Sequence, residues 1–140
     1  MQKLVIDTNI FISYLISKNG FAYKIINQLV LPKKILHYIS SETLEEYSEV
    51  SGRVRFTKKY PDFLISAHAL LNDLIKISVY LTPSSLFNII KDSSDNKFLE
   101  LAYEANADCL ITGNKLHFTF SSFYNTQIVS PREYRENYKP

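Results

Sequence analysis

The 140-residue sequence lacks the features that define several classes of protein. It has one cysteine, Cys109, so an internal disulfide is excluded, and the apolar run around it predicts a buried thiol in a reducing compartment. No window approaches the ~18 uninterrupted apolar residues that a membrane span needs, and the N-terminal pattern is unlike a signal peptide. We therefore expect a cytoplasmic protein with no membrane segment.

Charge and short motifs are equally uninformative about function. Basic residues exceed acidic ones by 16 to 14, and this balance neither requires nor excludes a nucleic-acid partner. The P-loop, GxGxxG, CxxC and HExxH motifs are all missing. The content of 46% apolar and 21% charged residues is that of an ordinary soluble domain. Without repeats or linkers, the chain is predicted to be a single domain over residues 1–140.

Short apolar runs alternate with segments of helical periodicity along the whole chain. Strands are predicted at 3–6, 35–39, 77–81, 109–111 and 128–129, with helices between them and at the end, and with an ambiguous segment at 83–92. Near-continuous apolar strands separated by helices predict an α/β domain with a central, mostly parallel sheet of about five strands. In such sheets, functional sites lie at the carboxyl ends of the strands.

Acidic and polar residues converge on that edge from several segments. Asp7 follows the first predicted strand, and Asp95 opens the helix that leads to the fourth. The remaining candidates lie at the start of the helix after the second strand, just before Asp95, and after the fourth strand: Glu45, Glu46, Asp92, Thr112 and Asn114. Crowded carboxylates favour a hard cation such as Mg²⁺ or Mn²⁺, which can bind phosphate oxygens and activate water. The predicted chemistry is phosphodiester hydrolysis.

Each candidate also has a simpler explanation when it is taken alone. Asp7, Thr8 and Asn9 are good helix-capping residues, and Glu45 and Glu46 fit a solvated helix face. Their joint placement is what favours a site. Five basic residues are candidates for RNA contacts, although solvated loops are the simpler interpretation: Arg53, Arg55, Lys58, Lys59 and Lys115. His117 could pack against the protein or touch substrate.

Five segments, read in order, resemble the PIN-domain family, and in particular the toxins of VapBC-like toxin–antitoxin pairs. The segments are LVIDTNIFIS from residue 4, SETLEEYSEV from 41, DSSDNKFLELA from 92, ADCLITGN from 107 and IVSPREY from 128. They cover nearly the whole chain. The resemblance implies a three-layer α/β/α fold and a metal-dependent ribonuclease that leaves 5′-phosphate and 3′-hydroxyl ends.

The resemblance also implies roles for individual residues. Asp7, Asp95 and Glu46 match the acids that hold Mg²⁺ or Mn²⁺, with Glu45 as the alternative to Glu46. Thr112 and Asn114 would support catalysis, and further candidates are Thr8, Asn9, Asp92 and His117. The commonest family pattern has aspartate where this chain has Asn114, so a weakened enzyme that only binds RNA or protein remains the alternative function. The implied partners are RNA, an antitoxin protein and a second copy of the chain.

Overall fold

A computed structural model describes residues 1–86, 95–114, 118 and 120–140 and confirms the α/β class. Within these residues the strands are β1 (Lys3–Ile6), β2 (Leu36–Ile39), β3 (Val79–Tyr80), β4 (Cys109–Ile111), β5 (Ser122–Phe123) and β6 (Thr126–Val129). They form one sheet in the order β3-β2-β1-β4-β6-β5. All neighbouring strands are parallel except β5 and β6, which are antiparallel. The prediction of a mostly parallel sheet is therefore confirmed.

Helices connect the strands, as the periodicity predicted. They are α1 (Thr8–Ile16), α2 (Phe21–Ile25) with a π-helical continuation (Ile26–Val30), α3 (Ser41–Ser51), α4 (Val54–Thr57), α5 (Phe63–Ile77), α6 (Asn96–Ala105) and α7 (Pro131–Glu133) with a π-helical continuation (Tyr134–Tyr138). Among the helices of the described ranges, none combines the length and apolar character needed to cross a bilayer.

The packing of α3 against the end of β1 positions one side of the edge at which the parallel strands have their carboxyl ends. Ser40 and Thr43 form a reciprocal capping box that starts α3 directly after β2. Tyr47 on α3 is fully buried, and its ring stacks on Phe11 of α1 with centroids 5.0 Å apart. Its hydroxyl donates to the carbonyl oxygen of Ile6, the last residue of β1, at 2.5 Å. The residues that flank Tyr47 on α3 are thereby held in a fixed rotation.

A buried histidine lies on β2, next to the central strand. The side chain of His37 is 1% exposed, and burial lowers its pKa to about 4 because the charged form would lose its hydration. Its Nδ1 lies 2.7 Å from the Ser78 hydroxyl, while Nε2 has no hydrogen-bond partner among the described residues. At neutral pH the buried ring of His37 is therefore uncharged.

Two details of the predicted sheet were wrong. The third strand was placed at 77–81, but α5 runs through Ile77 because Leu70, Leu74 and Ile77 continue one helical face, which leaves only Val79–Tyr80 as strand. The strand β5 was missed; with it the sheet has six strands within the described ranges, close to the predicted number of about five.

The turn that creates β5 explains why it was missed. The hairpin between β5 and β6 passes through Tyr124, which has a left-handed φ of 53° and is followed by asparagine rather than the glycine that marks most tight hairpins. Of the segment left ambiguous, residues 83–86 are irregular, and 87–94 lie outside the described residues.

Candidate active site

Asp7 is fixed at the carboxyl end of β1, where it also caps the start of α1. Its Oδ1 accepts a hydrogen bond from the Thr8 backbone N–H at 2.7 Å. Its Oδ2 accepts from the Thr112 hydroxyl at 2.7 Å and from the Asn9 amide at 3.3 Å. The carboxylate is thus buried, with 4% exposure, and oriented by three donors.

The electrostatics of Asp7 differ from those of an ordinary capping residue. The pKa of its carboxyl is raised to about 6, mainly by burial and in smaller part by the nearby carboxylates of Asp95 and Glu46. The hydrogen bonds from Thr112 and Thr8 act in the opposite direction and favour the ionised form. An ionised Asp7 at neutral pH therefore carries a desolvation cost that a bound cation would offset.

The structure separates the two neighbouring glutamates of α3. The Glu46 carboxylate lines the same cleft as Asp7 and accepts a hydrogen bond from the Thr8 hydroxyl. Glu45 is exposed and lines a different, apolar groove between α3 and α5, beside His68. Since successive side chains on a helix point about 100° apart and Tyr47 is turned inward, only one of the two can reach Asp7.

The cleft has a volume of about 400 Å³ and brings together residues that are far apart in the sequence. Its lining includes Asp7, Thr8, Asn9, Ile12, Ser13, Glu46, Val50, Arg53, Arg55, Phe56, Asp95 and Asn114. Asp95 lies immediately before α6 and is 6% exposed. The sequence-predicted acids Asp7, Glu46 and Asp95 therefore share one concave surface.

A close contact joins the loops that follow β1 and β4. The Gly113 backbone N–H donates to Asn9 Oδ1 at 2.8 Å, and a Cβ at position 113 would lie only 3.2 Å from that oxygen. The next residue, Asn114, donates its backbone N–H to the Thr112 hydroxyl at 3.1 Å. Thr112 thus relays a hydrogen bond from the Asn114 backbone to Asp7.

Basic residues lie along one side of the cleft. Arg53 and Arg55 are among its lining residues, whereas Lys58 and Lys59 are exposed outside it. Arg53 pairs with Glu49 at 3.0 Å, and the Arg55 guanidinium lies 4.8 Å from the centroid of the Phe56 ring. Three further candidates from the sequence fall outside the described residues: Asp92, Lys115 and His117.

The donor chemistry of the cleft fits a hard divalent cation. Carboxylate oxygens converge on it, and because burial raises the pKa of Asp7, a bound cation would stabilise the ionised form of this carboxyl. Across residues 1–86, 95–114, 118 and 120–140, however, no three His, Cys, Asp or Glu side chains are arranged as a metal-binding group. Asp7, Glu46 and Asp95 are the residues that could hold such an ion.

Sequence reasoning missed one charged residue of this site. Lys97, on the first turn of α6, places its Nζ 3.0 Å from Glu46 Oε1, so that an ion pair links α6 to α3. Its position two residues after Asp95 gave no signal, because side chains two positions apart on a helix point in different directions. The spacing alone did not reveal which acid it would meet.

With this geometry established, comparison with known proteins identifies the fold family. The sequence pattern of the PIN domain matches residues 3–116, so the chain belongs to the PIN domain family, a nuclease-type fold. It is similar to Uncharacterized protein MJ1680 of Methanocaldococcus jannaschii, with 39% identity over 116 residues that cover 81% of this chain and 71% of the relative. The relative's name assigns no activity.

Proposed function

We propose that this chain is a Mg²⁺- or Mn²⁺-dependent endoribonuclease that hydrolyses RNA to fragments with 5′-phosphate and 3′-hydroxyl ends. The observation that carries the proposal is the convergence of Asp7, Glu46 and Asp95 on one cleft, where the buried Asp7 carboxyl has a raised pKa. Membership of the PIN domain family supports nuclease chemistry. Oxygen donors of this kind match the preferences of Mg²⁺ and Mn²⁺.

Each residue of the cleft has a role in the proposed reaction. A divalent ion bound there supplies Lewis-acid activation of the scissile phosphate. Asp7 and Asp95 are the proposed ligands, and Glu46 is a third ligand or the group that orients the attacking water. Thr112 holds Asp7 through its hydroxyl and, together with the Asn114 backbone, keeps the carboxylate from rotating.

The basic side of the cleft supports RNA as the substrate. Arg53 and Arg55 line the same cleft as the acids, and guanidinium groups bind phosphate oxygens strongly. Phe56, packed beneath Arg55, offers an aromatic surface in the same cleft. Lys58 and Lys59, further out on the surface, would act only through long-range attraction.

A proposed biological role follows from the resemblance to VapBC-like toxins. In this role the nuclease arrests growth, and a cognate antitoxin protein covers the cleft; a homodimer is the proposed state of the toxin. Induced expression of the native chain should then stop growth, whereas expression of Asp95→Asn should not. Equal growth of both strains, at equal protein levels, would argue against a toxin.

The activity is tested directly by incubating the purified protein with mixed single-stranded and structured RNA. Cleavage is expected with Mn²⁺ or Mg²⁺ and is expected to stop with EDTA, because the acids alone cannot activate the phosphate. The ends of the products distinguish hydrolysis to 5′-phosphates from other routes. Cleavage that persists in EDTA would contradict the proposed chemistry.

The adjacent glutamates provide a matched pair of variants. Glu46→Gln is expected to lower the rate of RNA cleavage by ~100-fold or more, because it removes a charge from the cleft. Glu45→Gln is expected to cleave at the native rate, because its side chain lies in the neighbouring groove. The measurement is the initial rate with saturating Mn²⁺, and a loss in Glu45→Gln alone would reverse the assignment.

The second candidate function is binding without catalysis, which Asn114 favours because it lines the cleft without a charge. If the folded native chain binds RNA in a gel-shift assay but does not cleave it with either Mn²⁺ or Mg²⁺, that function gains support. Asn114→Asp should then restore cleavage by adding the missing carboxylate.

A further inference from the structure

The site contains a cation that belongs to the protein itself. Lys97 Nζ lies 3.0 Å from Glu46 Oε1, and the two side chains are only 26% and 14% exposed. Ion pairs shielded to this degree from water are stronger than pairs on the open surface. Glu46 Oε2 accepts the Thr8 hydroxyl, so both oxygens of this carboxylate are engaged by protein groups.

The three acids of the cleft are therefore not equivalent. Asp7 is held by uncharged donors, Thr8, Thr112 and Asn9, and none of these neutralises its charge. Glu46 has an ammonium group as a direct partner. Counting only the carboxylates of Asp7, Glu46 and Asp95 and the ammonium group of Lys97, one divalent ion would bring the net charge to zero, whereas without the ammonium group it would leave one negative charge.

We propose that Lys97 is a positioning residue that holds Glu46 and competes with the divalent ion for the Glu46 carboxylate. This inference rests on the proposed function, since it deepens the description of the same site. Lys97 keeps Glu46 turned toward α6, so that the ion is bound mainly by Asp7 and Asp95. Glu46 then remains available to orient the attacking water instead of being drawn into the ligand set.

Removing the ammonium group should separate metal binding from cleavage. In Lys97→Met, Glu46 becomes free to bind the ion, so Mn²⁺ affinity is expected to rise on the order of tenfold. RNA cleavage at saturating Mn²⁺ is expected to fall, because Glu46 is no longer oriented. A residue with only a structural role would lower both affinity and rate. Lys97→Arg preserves the charge and is expected to keep the native affinity for Mn²⁺.

The affinity is measured by titrating the native chain and each variant with Mn²⁺, and the free ion is monitored by electron paramagnetic resonance. Lys139→Met, at an exposed position near the C-terminus, controls for the loss of one positive charge and is expected to bind Mn²⁺ as the native chain does. The double variant Glu46→Gln with Lys97→Met should not show the increased Mn²⁺ affinity of Lys97→Met, because the freed carboxylate is then absent.

A second measurement needs neither cleavage nor RNA. With EDTA present, Lys97→Met should unfold at lower urea concentration than the native chain, since Glu46 then faces Asp7 and Asp95 without its partner. Added Mn²⁺ should raise its urea midpoint by more than it raises the native midpoint. These two shifts together support the proposal.

The outcomes distinguish this inference from the proposed function. If the native chain binds Mn²⁺ but cleaves no RNA, the nuclease proposal fails while the affinity comparison still tests Lys97. If Lys97→Met binds Mn²⁺ with native or weaker affinity, Lys97 does not compete for Glu46 and the inference is overturned. The same conclusion follows if neither protein binds Mn²⁺, because removal of a competing cation should have produced binding.

Discussion

Replacing Asp7 with asparagine is expected to reduce RNA cleavage by ~100-fold or more and, at the same time, to stabilise the metal-free protein. The activity falls because the substitution removes the carboxylate that is most deeply buried in the cleft. The stability rises because asparagine keeps the size of aspartate and an oxygen that can accept the Thr8 N–H, while the buried charge is removed. Its amide nitrogen cannot accept the hydrogen bonds from Thr112 and Asn9, and their loss offsets part of the gain. The two effects have one physical cause.

The sign of the stability change follows from the pKa of Asp7. Burial raises that pKa from 3.8 to about 6, so the folded state holds its proton more tightly than the unfolded state does. The corresponding stabilisation is present at low pH and is lost as the pH rises through about 6. At pH 8, therefore, the free energy of unfolding of Asp7→Asn should exceed that of the native chain by up to ~3 kcal/mol, and this difference should be smaller at pH 5.

The measurement is urea denaturation in EDTA at pH 5 and pH 8, alongside RNA cleavage in Mn²⁺. Asp62→Asn is a matched control, because Asp62 is exposed and its left-handed backbone, with φ of 58°, is well tolerated by asparagine. It should match the native chain in both assays. An Asp7→Asn protein that cleaves RNA normally, or that is destabilised at pH 8, would remove Asp7 from the centre of the site.

Acidification is expected to destabilise the protein through His37. The pKa of this histidine falls from 6.5 to about 4 in the folded state, because its ring is buried beside the Ser78 hydroxyl. The unfolded chain binds the proton more readily, so the stabilisation is full above pH 6.5 and is lost as the pH falls toward 4. The total loss is on the order of 3 kcal/mol.

Protonation of Asp7 acts in the opposite direction over an overlapping range, so the informative quantity is a difference between variants. The free energy of unfolding should decline less between pH 7 and pH 4.5 in His37→Gln than in the native chain. His68→Gln, on the exposed side of α5, is expected to keep the native pH dependence. If His37→Gln and the native chain decline equally, the histidine does not control acid stability.

The sequence was sufficient to predict the fold class because the apolar runs are unambiguous. The runs that became β1, β2 and β4 are almost entirely buried, and such runs separated by amphipathic helices allow few other arrangements. The edges were harder to predict. A strand of two residues, such as β3 or β5, has too few positions to show an alternating pattern.

The position of the candidate acids was predictable for a related reason. The carboxyl ends of parallel strands lie at one edge, so Asp7, Asp95 and the residues after β4 were expected to meet there, and the structure brings them to one cleft. Their roles remain predictions. The contact between Lys97 and Glu46 could not be predicted, because it depends on the rotation and separation of α3 and α6.

The cleft also has a consequence for the order in which the molecule assembles. Asp7 is oriented by Thr112, 105 positions later in the chain, and Asn9 is joined to Gly113 across 104 positions. Contacts of such separation form only after the intervening chain has been ordered. A growing polypeptide on the ribosome therefore contains Asp7 long before the cleft can be complete, because the cleft needs residue 114 to have emerged.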